Sequence, residues 1–182
     1  MIRASFIITM MLCLPSDAVV ATYIEGAFHG KIKQLYDNTC GLSSISFVLN
    51  KYYKRNVSEL ELINKIGIKP EYSFIDLANL SISFGAYAYG VKISTSQLKI
   101  IHSPTILYIN RFGKDHFVVL LGINEHIVQL YDPAWGYINY THNQFDRYWR
   151  GDLGLGKALV FLKHEVIAVD SNMVYQKNIF IN

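Results

Sequence analysis

The sequence predicts an α+β domain with N-terminal helices packed on a C-terminal antiparallel sheet. Three observations lead there. Residues 40–84 place apolar side chains at helical spacing. Residues 86–162 hold short runs rich in β-branched and aromatic residues, with turn signals between them. Helices first and strands second argue for segregated layers. The chain has 182 residues, 51% of them apolar and 14% aromatic, which suits one domain with a sizeable core and excludes a disordered tail.

The elements follow in order. From Cys40 to Tyr53 the apolar positions are Leu42, Ile45, Val48, Leu49 and Tyr52. Asp37 and Asn38 offer turn and capping chemistry just before this helix. "SELE", Ser58 to Glu61, reads as a capping box that opens a helix to Ile66. "SFID", Ser73 to Asp76, repeats the pattern and opens a helix to about Phe84. "AYAYGVKI" is strand-like and "STSQLKII" gives one helical turn or two. Strands are then expected at "PTILYIN", "HFVVLLGI", "HIVQLYD", "GYINY" and "KALVFL", with a short helix at "NQFDRYW". Both tryptophans lie near this last stretch, which argues for a packed corner. Residues 164–182 have weak periodicity and read as an edge strand or a mobile tail.

Arg3 is the first charge, and an apolar run follows from Phe6 to Pro15. Ser16-Asp17-Ala18 then supplies small residues, so residues 1–21 have the layout of a secretory signal cleaved after Ala18 or Ala21. The run is too short for a comfortable membrane span. The expectation is a periplasmic or secreted domain from residue 22 to 182, with no stable membrane span after cleavage. The formal charge is +3, and the basic residues form no run of the kind that binds nucleic acid. Cleavage removes Cys13, which leaves Cys40 as the one cysteine of the mature chain. A lone thiol in an exported protein is a reactive group, a bridge to another molecule or a small buried core residue.

The neighbours of Cys40 favour the reactive group. A catalytic thiol must ionise, and the first turn of a helix stabilises the thiolate. Gly41 follows, where a small residue lets a substrate backbone approach. Of the six histidines, His116 opens the strongest strand, and "HIVQLYD" follows it. A hairpin centred on Asn124 would set His116 directly opposite Asp132, and a centre half a residue later would set it opposite Pro133. Asp115 points to the other face of the strand, so Asp132 is the preferred orienting carboxylate. Gln34 lies six residues before Cys40 and is a neutral amide donor suited to an oxyanion hole. Taken singly, Gln34 reads as an exposed loop residue, His116 as a satisfied strand-end histidine and Asp132 as a turn initiator before Pro133. The combination points to acyl-transfer chemistry. No close-set pair of His, Cys or carboxylate ligands brackets these positions, so neither a metal nor another cofactor is expected.

"QLYDNTCGLSSISFVLNKYY" resembles the signature of the double-glycine leader peptidases, the C39-like, bacteriocin-processing cysteine peptidases. "HFVVLLGI" followed by "VQLYDPAWG" is similar to that family's His strand and Asp-Pro segment. The resemblance runs from about Gln34 to Gly136 and implies a papain-like fold. It implies Cys40 as nucleophile, His116 as base, Asp132 as orienter and Gln34 as oxyanion donor. Many such domains are fused to exporters, whereas this chain is more similar to stand-alone exported members. The partners implied are a peptide or protein substrate, such as a secreted fibre, pilus or leader-bearing protein, and a secretion apparatus. Thr39 stands where the family often has an acidic residue, and Ser43 and Ser44 where alanines are frequent. These departures bear on double-glycine specificity and spare the four site residues. Two other readings fit the residues: a non-cleaving binding module of the same fold, and another Cys-His-Asp acyl-transfer enzyme such as a cell-wall amidase.

Overall fold

The helical half forms where apolar spacing and capping residues coincide. In a computed structural model of the chain, which describes Phe28, residues 33–151 and residues 153–162, helix α1 spans Cys40–Tyr52. The signal segment 1–21, the domain start at 22 and the 164–182 tail lie outside the described residues. Leu42, Ile45, Val48 and Leu49 of α1 are all buried, as their spacing requires. Helix α2 spans Glu59–Ile66, and its N-cap Ser58 accepts a hydrogen bond from the Glu61 amide. Helix α3 spans Phe74–Ile82, with Ser73 and Asp76 making both bonds of a capping box. Strand β1 is Ala88–Ile93, and a short helix α4, Thr95–Ile100, follows. Strands β2 (Thr105–Arg111), β3 (Lys114–Ile123), β4 (Ile127–Asp132) and β5 (Gly136–Thr141) come next. Helix α5 (His142–Trp149) and strand β6 (Gly156–Phe161) complete the fold.

All six strands join one antiparallel sheet in the order β1-β6-β2-β3-β4-β5. Helices α1 to α3 cover one face, where Phe117, Val119, Tyr131 and Phe161 meet Leu42, Ile45, Leu77 and Leu80. The predicted α+β layering is therefore the observed one. A second layer completes it: α4 and α5 bring Leu98, Phe145 and Trp149 onto the opposite face, against Leu107, Ile109, Val118 and Leu120. The expected packed corner is made by Trp149, which is buried and stacked on Phe145. Its indole Nε1 donates to the Lys157 carbonyl at 2.9 Å. Gly156 leaves the room for that ring, since a Cβ there would lie 2.1 Å from Trp149 Cε2. Trp135, by contrast, is 59% exposed. Among the described residues no helix is long and apolar enough to cross a membrane.

The β3–β4 hairpin departs from the predicted register. Its tip pairs Ile123 with Val128, and the Asn124 side chain accepts from the amides of His126 and Ile127. Further down, Leu120 pairs with Leu130 and Val119 with Tyr131, so Leu121 is one extra residue in β3. The tip register alone would put His116 and Asp132 on opposite faces of the sheet, because each single-residue slip exchanges the faces. The bulge at Leu121 restores the parity. It leaves Asp132 in line with Val118 and diagonal to His116, two positions from the direct opposition expected.

Candidate active site

Cys40 is the first residue of α1, 7% exposed, at the junction of that helix with β3. The capping expected from Asp37 and Asn38 is not made. Thr39 is the N-cap and makes no side-chain cap hydrogen bond; its hydroxyl donates to the Tyr36 carbonyl at 2.8 Å. The Asn38 amide donates to the Lys69 carbonyl instead. No cap from the Thr39 side chain takes up the first amides of α1. The Phe117 backbone N–H points at the Cys40 sulfur from 3.5 Å. Gly41 plays a different part from the one expected. A Cβ there would lie 3.1 Å from both Leu77 methyl groups and 3.2 Å from the Phe117 ring. It permits close packing of α1 on α3 and β3, and no open approach for a substrate.

His116 lies in β3 beside Ile109 of β2. Its Nε2 is 2.7 Å from Asp132 Oδ1, so the diagonal placement is close enough for a full hydrogen bond. Burial by itself lowers the pKa of this imidazole. The hydrogen bond to Asp132 and a further one to Cys40 outweigh burial, and the pKa is raised to about 9. Asp132 ends β4 and is 1% exposed. Its Oδ1 also accepts from the Ala134 and Trp135 amides at 2.8 and 3.3 Å, which locks the carboxylate in the turn that follows. Its Oδ2 is buried with no hydrogen-bond partner.

That oxygen faces Arg111, a residue not singled out from the sequence. Arg111 Nη1 lies 3.8 Å from Asp132 Oδ2 and donates to the Tyr140 hydroxyl at 2.8 Å. Its guanidinium sits 5.8 Å from the Phe112 ring centre and 5.5 Å from that of Trp135. Arg111 ends β2 just before the tight turn Phe112-Gly113, where φ is 55° and 77°. Two consecutive positive φ values are the mark of the two-residue hairpin turn that fits sheet twist. Pairing that hairpin from the sequence would have placed Arg111 two residues beyond the His116 partner, Ile109.

Gln34 precedes these elements on a loop. Its backbone N–H donates to the Pro133 carbonyl at 3.0 Å, so the loop that leads into Cys40 is tied to the residue after Asp132. Its side-chain Nε2 donates to the Tyr36 carbonyl at 2.9 Å, and its Oε1 is buried with no partner. The structure thus joins His116 to Asp132 through a side-chain hydrogen bond, sets Cys40 beside His116, and ties the Gln34 backbone to the residue after Asp132. A cavity of about 250 Å³ opens beside Cys40, with Asn38, Tyr72, Tyr108 and Phe117 among its walls. No group of three or more metal-ligating side chains occurs among the described residues. Of the other histidines, His142 is a structural tie, with Nε2 2.7 Å from the Asn124 carbonyl.

The model of the peptidase C39 family matches residues 30–155. A relative from Pseudomonas aeruginosa, described as probable functional amyloid protease FapD, is 29% identical over 135 residues, 70% of this chain. The match spans about 60% of that relative's length. Among solved structures, a double glycine motif protease from an AMS/PCAT transporter, in complex with the leader peptide, aligns with a TM-score of 0.62 at 27% identity. It covers 71% of this chain and 88% of that one. The peptidase domain of Streptococcus ComA shares the fold, with a TM-score of 0.60 at 16% identity over 71% of this chain and 95% of its own. With that match running from before Gln34 to beyond α5, the chain belongs to the peptidase C39 family.

Proposed function

We propose that the chain is an exported cysteine peptidase that cuts one peptide bond in a secreted fibre subunit or leader-bearing protein. The observation that carries this reading is the bond from His116 Nε2 to the buried Asp132, with Cys40 beside the same imidazole. Asp132 holds Nε2, which leaves Nδ1 as the nitrogen for the thiol. The thiol proton passes to Nδ1, and the Cys40 sulfur attacks the scissile carbonyl carbon. The carbonyl π electrons move to oxygen, and the Gln34 amide with the Cys40 backbone N–H stabilises that charge. The carbon–nitrogen bond then breaks, the proton on Nδ1 goes to the leaving amine, and water hydrolyses the thioester.

Gln34 Nε2 carries two hydrogens and the Tyr36 carbonyl takes one. The other is available to a developing oxyanion. The choice of substrate draws support from two sides. Residues 1–21 read as a secretory signal, and the Pseudomonas relative is described as a functional amyloid protease. A leader peptide is what the transporter-derived neighbour binds. The test compares exported proteins, by mapping of their terminal peptides, from cells with the native chain and cells with Cys40→Ala. A terminus present with the native chain and lost with the variant identifies substrate and cleavage site. An unchanged set of termini, with the variant stably folded, removes the catalytic assignment.

A further inference from the structure

Glu59 is a buried carboxylate that the reaction above does not use. It is the first residue of α2, 5% exposed, and its side chain turns inward toward the start of α1. Both carboxylate oxygens accept from the Leu35 backbone N–H, at 3.2 and 3.1 Å. Thr39 and Ser43 stand beside the same carboxylate. Burial holds the Glu59 carboxyl above the usual carboxylate range, against the opposing pull of Thr39, the Leu35 amide and Ser43. Nature rarely buries such a group unless it is paired or has a task.

The loop it holds runs from Gln34 to Thr39, with Gln34 at one end and Cys40 directly after the other. Its own side chains anchor it poorly: Leu35 is 51% and Tyr36 50% exposed. Polar ties fix it instead. Gln34 N–H reaches Pro133, Asn38 reaches Lys69, and Leu35 N–H reaches Glu59. The Leu35 tie is the one next to Gln34 on the Cys40 side. Through Thr39 and Ser43, the same carboxylate touches the residue before Cys40 and the first turn of α1.

We propose that Glu59 is a positioning residue: it fixes the loop so that the Gln34 amide and the Cys40 thiol address the same carbonyl. This rests on the peptidase reading above. A 1 Å misplacement of such groups can cost on the order of 100-fold in rate. Three forms of the full chain test it: native, Glu59→Gln and Glu59→Ala. Hydrogen exchange reads the Leu35 amide directly. Exchange should speed up by roughly 10- to 100-fold in Glu59→Ala, the size expected for loss of a hydrogen bond to a charged acceptor. Two probes then separate chemistry at Cys40. Iodoacetamide alkylates the thiolate with no oxyanion, so its rate should stay within about twofold of native. Acetyl-glycyl-glycinal forms a carbon–sulfur bond at its carbonyl and places charge on that oxygen, as in peptide cleavage. Its protection of Cys40 should weaken by about tenfold or more in Glu59→Ala, with the isosteric Glu59→Gln between the two. Equal Leu35 exchange in all three forms would overturn the proposal. So would equal slowing of both probes, which marks general loosening. If the native chain binds no aldehyde, the peptidase reading fails while the exchange comparison still decides whether Glu59 anchors the loop.

Discussion

Replacing Asp132 by Asn tests the charge at the centre of the site while leaving its shape in place. The Asn carbonyl can still accept from the Ala134 and Trp135 amides that hold Asp132 Oδ1. The same oxygen still accepts from His116 Nε2, and the NH2 group takes the place of Oδ2, which lies 3.8 Å from Arg111. The tautomer with Nδ1 free is kept, and what the variant removes is the negative charge beside the imidazolium. The pKa of His116 measures that loss. The bond to Asp132 is the largest of the effects that raise it to about 9, and burial works against it. In the variant the midpoint should move down from 9 toward or below the ordinary histidine value near 6.5. Stability follows with a definite sign. A histidine with a raised folded-state pKa contributes stability that is fully present below about 6.5 and lost as pH rises through about 9. The difference between about 9 and 6.5 corresponds to about 3 kcal/mol, and the His116 side chain is only 16% exposed, so solvent screening is small. Native unfolding free energy should fall by that order between pH 6.5 and 9.5, and the Asp132→Asn curve should be nearly flat there. An NMR titration of the His116 ring and denaturant melts at the two pH values measure both. Equal titration midpoints in native and variant would refute the reasoning, and so would a flat native stability curve.

Two further substitutions separate chemistry from packing. Gln34→Ala removes the proposed side-chain oxyanion donor, so kcat should drop by about 10²- to 10³-fold with KM held within a few-fold. Steady-state kinetics on the mapped substrate reads this, and a KM effect alone would assign Gln34 to ground-state binding. Gly156→Ala places a methyl 2.1 Å from the buried Trp149 ring, which Phe145 and the Lys157 carbonyl hold in place. A loss of about 3 kcal/mol or more is expected from such overpacking, or a Tm lower by roughly 6–12 °C for a domain of this size. Thermal melts check it, and an unchanged Tm would mean that Trp149 can leave its slot at little cost.

Local signals made most of this molecule legible in its sequence. Ser58 and Ser73 announced α2 and α3 because N-capping is a bond between residues three apart. The strands were readable because β-branched runs alternate between two buried faces, as Phe117 and Val118 do toward the two cores. That same near-continuous apolar run signals a sheet covered on both sides, and the covering helices α4 and α5 were visible without their place being so. Cys40, His116 and Asp132 could be chosen because each sits at the end of an element, where side chains can converge. The register that joins His116 to Asp132 was not legible. A four-residue connection and the extra Leu121 each shift the pairing, and only their sum returns the two residues to one face. Nothing in a short apolar strand marks which residue bulges.

Arg111 and Glu59 were missed for a related reason. Each acts across a gap in sequence, 21 residues to Asp132 and 24 to Leu35, and each looks like an ordinary surface charge at the end of an element. Their burial is what distinguishes them, and burial is a property of the packed layers. The Arg111 guanidinium lies beside Phe112 and Trp135, two rings that stay exposed. Its charge stands 3.8 Å from the one carboxylate oxygen of Asp132 that has no hydrogen bond. A buried carboxylate without a nearby cation costs several kcal/mol, and the guanidinium is the cation beside Oδ2. The Asp132 carboxylate is thus held from two sides, by the turn amides at Oδ1 and by Arg111 at Oδ2. On the thiol side, Glu59 holds the Gln34 loop in the same manner. In the proposed site, these two charges, Glu59 buried and Arg111 partly so, hold the surrounding backbone and the Asp132 carboxylate in place.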